Sequence, residues 1–265
     1  MKKILVLLVF TASIFKAKAD EGMWLPMLLG KQVYADMVKK GLKLTKDQLY
    51  SINKSSIKDA IIIFGGGCTG EIVSNQGLIF TNHHCGYDAI ARASSVEHNY
   101  LRDGFYAFNK DKEIESELTV QFLEKIVDVT TEVEAGVKGL NWEERSKKIN
   151  DVMKAITDKL ADKENGISAR IYSMFKGNQY IMYVYKTYRD IRLVGAPPES
   201  VGKFGGDTDN WEWPRHTGDF SVFRVYAGKD NQPADYSPDN VPLKPKRFLP
   251  VSIKGLQNGD FAMIM

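Results

Sequence analysis

The two cysteines of the chain constrain its fold more than any other sequence feature. Cys68 and Cys85 are the only cysteines in 265 residues. A β-like run lies between them, and the doublet His83-His84 stands directly before Cys85. A bond between the two sulfurs would hold the segment that carries the histidines against a neighbouring strand. Whether that bond forms depends first on the compartment that the chain reaches.

The amino-terminal residues predict export. Lys2 and Lys3 precede a mostly apolar run over residues 4–15, and small residues occupy positions 17 and 19. This pattern is typical of a secretory signal peptide, and we predict residues 1–19 as that peptide, with cleavage after Ala19. The apolar run is far shorter than the roughly 20 residues of a membrane span, so we expect no membrane span.

An exported chain reaches an oxidising compartment, where two cysteines favour a single disulfide. A redox pair or a zinc site would normally place its cysteines closer together or use more of them. We therefore predict a disulfide between Cys68 and Cys85.

The charge pattern argues against nucleic-acid binding. The chain has 36 basic and 33 acidic residues, a net charge of +3 and 43% hydrophobic residues. The basic residues alternate with acidic ones, which is typical of solvated helix faces rather than of a stripe that follows phosphates. The composition is that of an ordinary globular protein with one large or two small domains.

Hydrophobic periodicity predicts a mainly β fold with helical insertions. Asn141 and Glu144 form a capping-box pattern ahead of helical spacing, so an inserted helix is expected around residues 141–165. A hairpin is expected around the turn-forming residues 74–77. Further strands are predicted at residues 59–64, 180–188, 220–226, 251–253 and 261–265, and a short helix over residues 28–37. The last strand has no turn or tail after it, so we expect residues 20–265 to be the amino-terminal part of a longer peptidase domain.

A glycine-rich run at residues 65–70 satisfies G-x-G-x-x-G but does not predict a dinucleotide site. A phosphate-binding loop of that kind must open a helix whose amides face the anion. Here a hairpin follows instead. The glycines are better explained by close approach of strands.

A metal site is the rival interpretation of the histidines. His83, His84, His216 and Asp219 could supply zinc ligands in principle, but no H-E-x-x-H helix is present. We expect no metal and no cofactor. A serine nucleophile is also needed for covalent chemistry, and the chain shows no serine in a Gly-x-Ser-Gly-like turn. We therefore predict that the nucleophile lies outside these 265 residues.

Two long motifs, at residues 81–85 and 210–221, resemble the bacterial exopeptidase family of dipeptidyl-peptidases 7 and 11. The resemblance implies a chymotrypsin-like β-barrel half of a double-barrel peptidase, with a helical cap domain beyond the fragment. It implies a serine-type dipeptidyl-peptidase that acts on peptides with a free N-terminus. It also implies a homodimer at the periplasm or the cell surface of a bacterium, and a fragment that is inactive alone.

The same resemblance assigns roles to individual residues. His84, which directly precedes the half-cystine, becomes the general base, and Asp219 becomes the acid that orients it. Asn210 and Trp211 fall where the family binds the substrate ammonium. The alternative to an active peptidase is a catalytically silent protein of the same fold that binds peptides through the same cleft.

Elementary chemistry supports these roles without deciding between all candidates. An imidazole can take the proton of a serine hydroxyl if a carboxylate holds its other nitrogen. Asp207 and Asp209 are alternatives to Asp219 for that carboxylate. The Asn210 oxygen can accept from an ammonium, and Trp211 can offer its ring face to the cation.

Overall fold

An antiparallel sheet forms the framework of the protein. The structure, a computed structural model, describes residues 22–206, 208 and 216–265. The strands in these residues are β1 (Ile61–Phe64), β2 (Cys68–Ile72), β3 (Leu78–Thr81), β4 (Phe105–Tyr106), β5 (Ile114–Ser116), β6 (Val120–Asp128), β7 (Ile167–Met174), β8 (Gln179–Tyr188), β9 (Asp190–Ala196), β10 (Ser221–Ala227) and β11 (Val241–Pro242). Their order is β4-β9-β10-β3-β2-β1-β6-β8-β7, with β11 beside β10 and β5 beside β9. The predicted mainly β fold is confirmed.

Helices are attached to this sheet at intervals along the chain. The α-helices of the described residues are α1 (Lys31–Lys39), α2 (Lys46–Leu49), α3 (His83–Ala93), α4 (Tyr100–Asp103), α5 (Thr130–Gly136), α6 (Trp142–Asp158) and α7 (Glu199–Gly202). Helix α6 is the predicted insertion. It begins with a capping box, in which Glu144 N donates to Asn141 Oδ1 at 3.0 Å and Asn141 N donates to Glu144 Oε2 at 3.2 Å.

The hairpin between β2 and β3 forms where the turn residues predict it. Ile72 pairs with Ile79, and Gly77 occupies a positive φ of 64°, which suits a residue without a side chain. The Ser74 hydroxyl accepts the N–H of Leu78 at 3.2 Å and closes the turn. The glycine-rich run 65–70 leads directly into β2 rather than into a helix, which agrees with the interpretation of these glycines as turn and strand residues.

Two apolar clusters stabilise the fold. The main cluster joins the sheet to the inner side of α3, and its buried members include Phe64, Ile72, Ile79, Ile90, Leu193 and Phe223. A second cluster lies under α6, where Ile149, Met153 and Ile156 pack against Val133, Tyr180 and Met182. Because α3 belongs to the main cluster, core packing sets the position of the histidine doublet at its start.

The predicted strand pair at residues 251–253 and 261–265 is wrong. The structure has no strand in residues 250–265. Ile253 and Ile264 are fully exposed, while Phe261 packs against Gly41 instead of pairing with a neighbouring strand. An alternating pattern by itself does not make a strand, because strand formation depends on pairing with a neighbour, and residues 250–265 form no strand pairing with the described residues. The strand predicted at residues 59–64 also begins later, at Ile61, because Ile57–Asp59 forms a 3₁₀ turn.

The part of the chain that the structure describes contains no candidate for a membrane-spanning helix. None of its helices combines the length and the apolar character that crossing a bilayer requires.

The contact between α3 and β10 generates a test of the packing. A Cβ added at Gly86 would lie 2.8 Å from Phe223 Cε2 and 2.8 Å from Ser221 Oγ. We predict that Gly86→Ala lowers the free energy of unfolding by about 1–3 kcal/mol through overpacking. Denaturant unfolding measures this change.

Gly67→Ala is the matched control, because a Cβ at Gly67 would meet nothing within 4 Å. We expect its unfolding midpoint to stay close to that of the wild type. Equal stability of the Gly86 and Gly67 variants would contradict the predicted packing.

Candidate functional site

His84 and Asp219 meet at the amino end of α3. His84 is the second residue of that helix, and Asp219 lies two residues before β10. The His84 ring nitrogen Nδ1 is 2.8 Å from Asp219 Oδ2, and the His84 backbone N–H donates to Asp219 Oδ1 at 3.1 Å. One carboxylate therefore binds both the ring and the backbone of the same histidine. Sequence reasoning proposed this pair, and the structure brings the two residues together.

The surroundings of Asp219 favour its anionic form. Partial burial acts to raise the pKa of Asp219. Hydrogen bonds from the His84 ring and from the backbone N–H groups of His84 and His83 lower this pKa by more, so the net shift is downward. The amino end of a helix also attracts negative charge. Asp219 is therefore a carboxylate at neutral pH and can hold a proton on His84 Nδ1.

The two histidines of the doublet have opposite environments. The His83 side chain is 1% exposed, whereas the His84 side chain is 70% exposed. The doublet follows β3 after Asn82, and both of its residues belong to the first turn of α3. Residues next to each other on a helix point about 100° apart, which still separates a buried ring from an exposed one.

His83 packs against α7. A Cβ at Gly202 would lie 2.4 Å from His83 Cγ, so the glycine allows the ring to touch the α7 backbone. The His83 ring also makes an edge contact with Tyr87, at 6.0 Å between centroids, and the Tyr87 hydroxyl donates to Glu199 at 3.4 Å. These contacts give His83 a role in packing.

The Cys68–Cys85 disulfide is present in the structure and ties β2 to the first turn of α3. This bond also bears on the metal interpretation. Cys68, His84 and Cys85 place potential ligand atoms within 4.8 Å of one another. Both sulfurs are consumed in the disulfide, however, so neither can bind a metal as a thiolate. His84 and Asp219, two of the candidate zinc ligands, are hydrogen-bonded to each other.

The remaining predicted site residues lie outside the described part of the chain. These are Asn210 and Trp211, together with the alternative acids Asp207 and Asp209. Hydrogen bonds join the residues on the two sides of this segment: Gly218 N donates to Val201 O at 2.9 Å, and Thr217 Oγ1 donates to Phe204 O at 2.9 Å.

Two features of the site were missed by sequence reasoning. The first is the helix start at His83, although Asn82 is a frequent N-cap residue and His83, Tyr87 and Ile90 have helical spacing. The second is the contact of Asn82 with Asp219, in which the Asn82 amide donates to Asp219 Oδ2 at 3.3 Å. No local sequence signal links residues that lie 137 positions apart.

Comparison with known proteins identifies the family to which the chain belongs. The family model described as Peptidase S46 matches residues 19–265. The chain belongs to the peptidase S46 family.

Named relatives of this S46 chain are dipeptidyl-peptidases. The Asp/Glu-specific dipeptidyl-peptidase of Porphyromonas gingivalis is 50% identical over 277 residues, which cover 100% of this chain and 38% of the relative. Dipeptidyl-peptidase 7 of Phocaeicola vulgatus is 50% identical over 270 residues, which cover 99% of this chain and 37% of the relative. The chain therefore spans less than two fifths of the length of these relatives.

Solved S46 structures share the fold. The crystal structure of Porphyromonas endodontalis DPP11 in complex with the dipeptide Arg-Glu matches with a TM-score of 0.81 and 46% identity, over 91% of this chain and 36% of that chain.

The buried histidine of this S46 site generates a pH test. The pKa of His83 is lowered, chiefly because burial disfavours the charged ring, although Asp219 and Glu199 act in the opposite direction. An unfolded histidine has a pKa of about 6.5, so the unfolded chain binds a proton that folded His83 does not. We predict that stability is lost as the pH falls below about 6.5, and that His83→Phe reduces this loss. Denaturant midpoints between about pH 7.5 and 5.5 measure the effect.

His98 provides the control, because its side chain is exposed. His98→Phe should keep the wild-type loss of stability. If the His83 and His98 variants lose stability equally with falling pH, His83 is not responsible for it.

Proposed function

We propose that this chain supplies the general base and the orienting acid of a serine-type dipeptidyl-peptidase. His84 is the base and Asp219 is the acid. The observation that carries this proposal is the 2.8 Å contact between His84 Nδ1 and Asp219 Oδ2, made by a ring that is 70% exposed. A ring held on one nitrogen and open to solvent can exchange a proton with a reactant.

The proposal gives His84 the tautomer with its proton on Nδ1. The Asp219 carboxylate accepts Nδ1–H, so Nε2 carries the lone pair that can take the proton of a serine hydroxyl. The resulting imidazolium lies beside a carboxylate that stabilises its positive charge. The serine oxygen bonds to the peptide carbonyl carbon, and Nε2 gives the proton to the amine as the C–N bond breaks. Water, deprotonated by the same ring, then attacks the resulting ester and releases the dipeptide and the free serine.

The nucleophilic serine is proposed to lie outside these 265 residues. Ser221, the serine nearest to Asp219 in sequence, is fully buried and donates to Asn82 O at 2.8 Å. Ser94 donates to Ile90 O at 2.9 Å, as a helix-end serine does. None of the hydrogen bonds between described residues joins a serine hydroxyl to His84. The greater length of the relatives is consistent with a nucleophile elsewhere in the protein.

The proposed substrates are peptides with a free N-terminus. The relatives include both an Asp/Glu-specific dipeptidyl-peptidase and dipeptidyl-peptidase 7, at the same identity of 50%. The proposal therefore extends to release of dipeptides and not to a side-chain preference. Within it, Asn210 accepts a hydrogen bond from the substrate ammonium, and Trp211 packs beside that group.

The wider architecture is proposed on the same basis. We infer a chymotrypsin-like first barrel in this chain, with a second barrel and a helical cap in the rest of the protein. Phe204 and Phe220 flank the site and are 53% and 42% exposed, as expected for surface that another domain covers. We also propose a homodimer that is exported to the periplasm or the cell surface.

The triad roles predict the effects of two substitutions in the full-length peptidase that carries this chain. His84→Ala should lower kcat by on the order of 10⁶, because no other group can take the serine proton. Asp219→Asn should lower kcat by about 10⁴, because an amide favours the wrong tautomer. Steady-state kinetics on a chromogenic dipeptidyl substrate measures both changes.

His98→Ala serves as the control and should retain wild-type kinetics. A catalytically silent peptide-binding protein would show no turnover in the wild type. Loss of activity with a chelator, but not with a serine-directed phosphonate, would support a metal-dependent hydrolase and overturn the proposal.

Recognition of the substrate ammonium gives a separate test. An N-acetylated peptide should be cleaved about 10⁴- to 10⁵-fold less efficiently than the free peptide, because the acceptors for the ammonium would remain unpaired. Asn210→Ala should reduce this discrimination, while Asn258→Ala, at an exposed position, should leave it unchanged. Comparison of kcat/KM for the two peptides measures it, and equal cleavage would indicate an endopeptidase.

A further inference from the structure

Asn82 occupies the N-cap position of α3 but does not cap its own helix. Asparagine at this position usually accepts an N–H from the first turn. Asn99 and Asn141 do so at the starts of α4 and α6, where each accepts a backbone N–H at 3.0 Å. The Asn82 side chain accepts none. Among the asparagine N-caps of the described α-helices, it alone has a different use.

The Asn82 amide is directed at Asp219. Its Nδ2 donates to the Asp219 backbone carbonyl at 3.2 Å and to Asp219 Oδ2 at 3.3 Å. The same Oδ2 faces His84 Nδ1 at 2.8 Å. Asp219 Oδ1 meanwhile accepts the His84 backbone N–H at 3.1 Å, which is the bond that an N-cap side chain would normally receive. Asp219 has thus taken over the capping of α3, and Asn82 holds Asp219.

The backbone of Asn82 is itself anchored to β10. The Ser221 hydroxyl donates to Asn82 O at 2.8 Å, and Ser221 is fully buried. Gly86 leaves room for this serine, since a Cβ there would lie 2.8 Å from Ser221 Oγ. Asn82 is therefore held by a residue two positions after Asp219 while it holds Asp219 itself.

We propose that Asn82 is a positioning residue for the proposed triad. It fixes the Asp219 carboxylate through both the backbone and the side chain of that residue, and so sets the orientation of the His84 ring. This inference rests on the proposed function, because it gives Asn82 a role through the acid and the base. A small displacement of a catalytic group costs as much as about 100-fold in rate, so an added restraint on Asp219 has a measurable effect.

The first test is Asn82→Ala in the full-length peptidase, with Asn99→Ala as the matched control. We expect Asn82→Ala to lower kcat by about 10-fold or more with KM within about twofold, since the loss concerns positioning and not binding. Asn99→Ala removes a conventional helix cap and should change thermal stability without changing kcat. Kinetics of Asn82→Ala within twofold of the wild type would overturn the inference.

A second test uses the pH profile, which a merely structural role would not move. Asn82→Asp places a second carboxyl group beside the Asp219 oxygen that contacts His84 Nδ1, and added negative charge near the ring favours its protonated form. The titratable groups around this site are Asp219, His83 of α3 and Glu199 of α7, which acts on His83. We expect the acidic limb of kcat/KM to move by about one unit to higher pH. An unchanged limb in a folded Asn82→Asp enzyme would contradict the proposed contact.

A double-mutant cycle tests whether Asn82 acts through Asp219. In the Asp219→Asn background, Asn82→Ala should cause no further loss of kcat, because the restrained carboxylate is already absent. Multiplicative losses would show that Asn82 acts independently of Asp219 and would overturn the inference.

Different results would overturn the proposed function of His84 and Asp219 and the proposed positioning role of Asn82. If His84→Ala is inactive while both Asn82 variants match the wild type, the inference falls and the proposed function stands. If His84→Ala retains activity, the proposed function itself falls.

Discussion

The Asp219 carboxylate is the interaction on which the site depends. The first N–H groups of a helix have no partner within the helix, and a helix amino end favours negative charge. Asp219 satisfies one of these N–H groups on α3, that of His84, and also accepts from the His84 ring. Asp219 therefore caps the helix, stays anionic and orients the His84 ring through one set of contacts. The Asn82 side-chain amide adds a further donor to Asp219 from the N-cap position.

The sheet brings this carboxylate to the helix. Strands β3 and β10 are paired with Ser221 opposite Thr81, so the residues just after β3 and just before β10 are neighbours. Ile79 and Phe223, which also pair across these strands, are completely buried. The side-chain contact of His84 with Asp219 contributes little to folding by comparison, because the His84 ring is 70% exposed and solvent-exposed pairs are worth about 0–1 kcal/mol. Buried strands and the disulfide therefore position the site.

Local signals made much of the fold predictable. The β2–β3 hairpin and the start of α6 follow from turn residues and a capping box, which act within four positions of one another. The disulfide followed from composition and the export pattern. The meeting of His84 with Asp219 was available only through resemblance, because 135 residues separate them. The helical start at His83 was missed although Asn82 is a frequent N-cap residue, because the N3 position holds Cys85 and no Glu or Gln completes a capping box.

The structure also gives a physical reason for choosing between the adjacent histidines. A general base must become a cation during the reaction, and burial disfavours the cation. His83 packs under α7 with no partner for Nε2 among the described residues, and its pKa is lowered, chiefly by burial. His84 is exposed and lies beside the Asp219 anion, which stabilises a positive ring. Only one of these two adjacent side chains reaches both solvent and a carboxylate, so His83 is a packing residue and His84 is the one that suits the proposed role of proton acceptor.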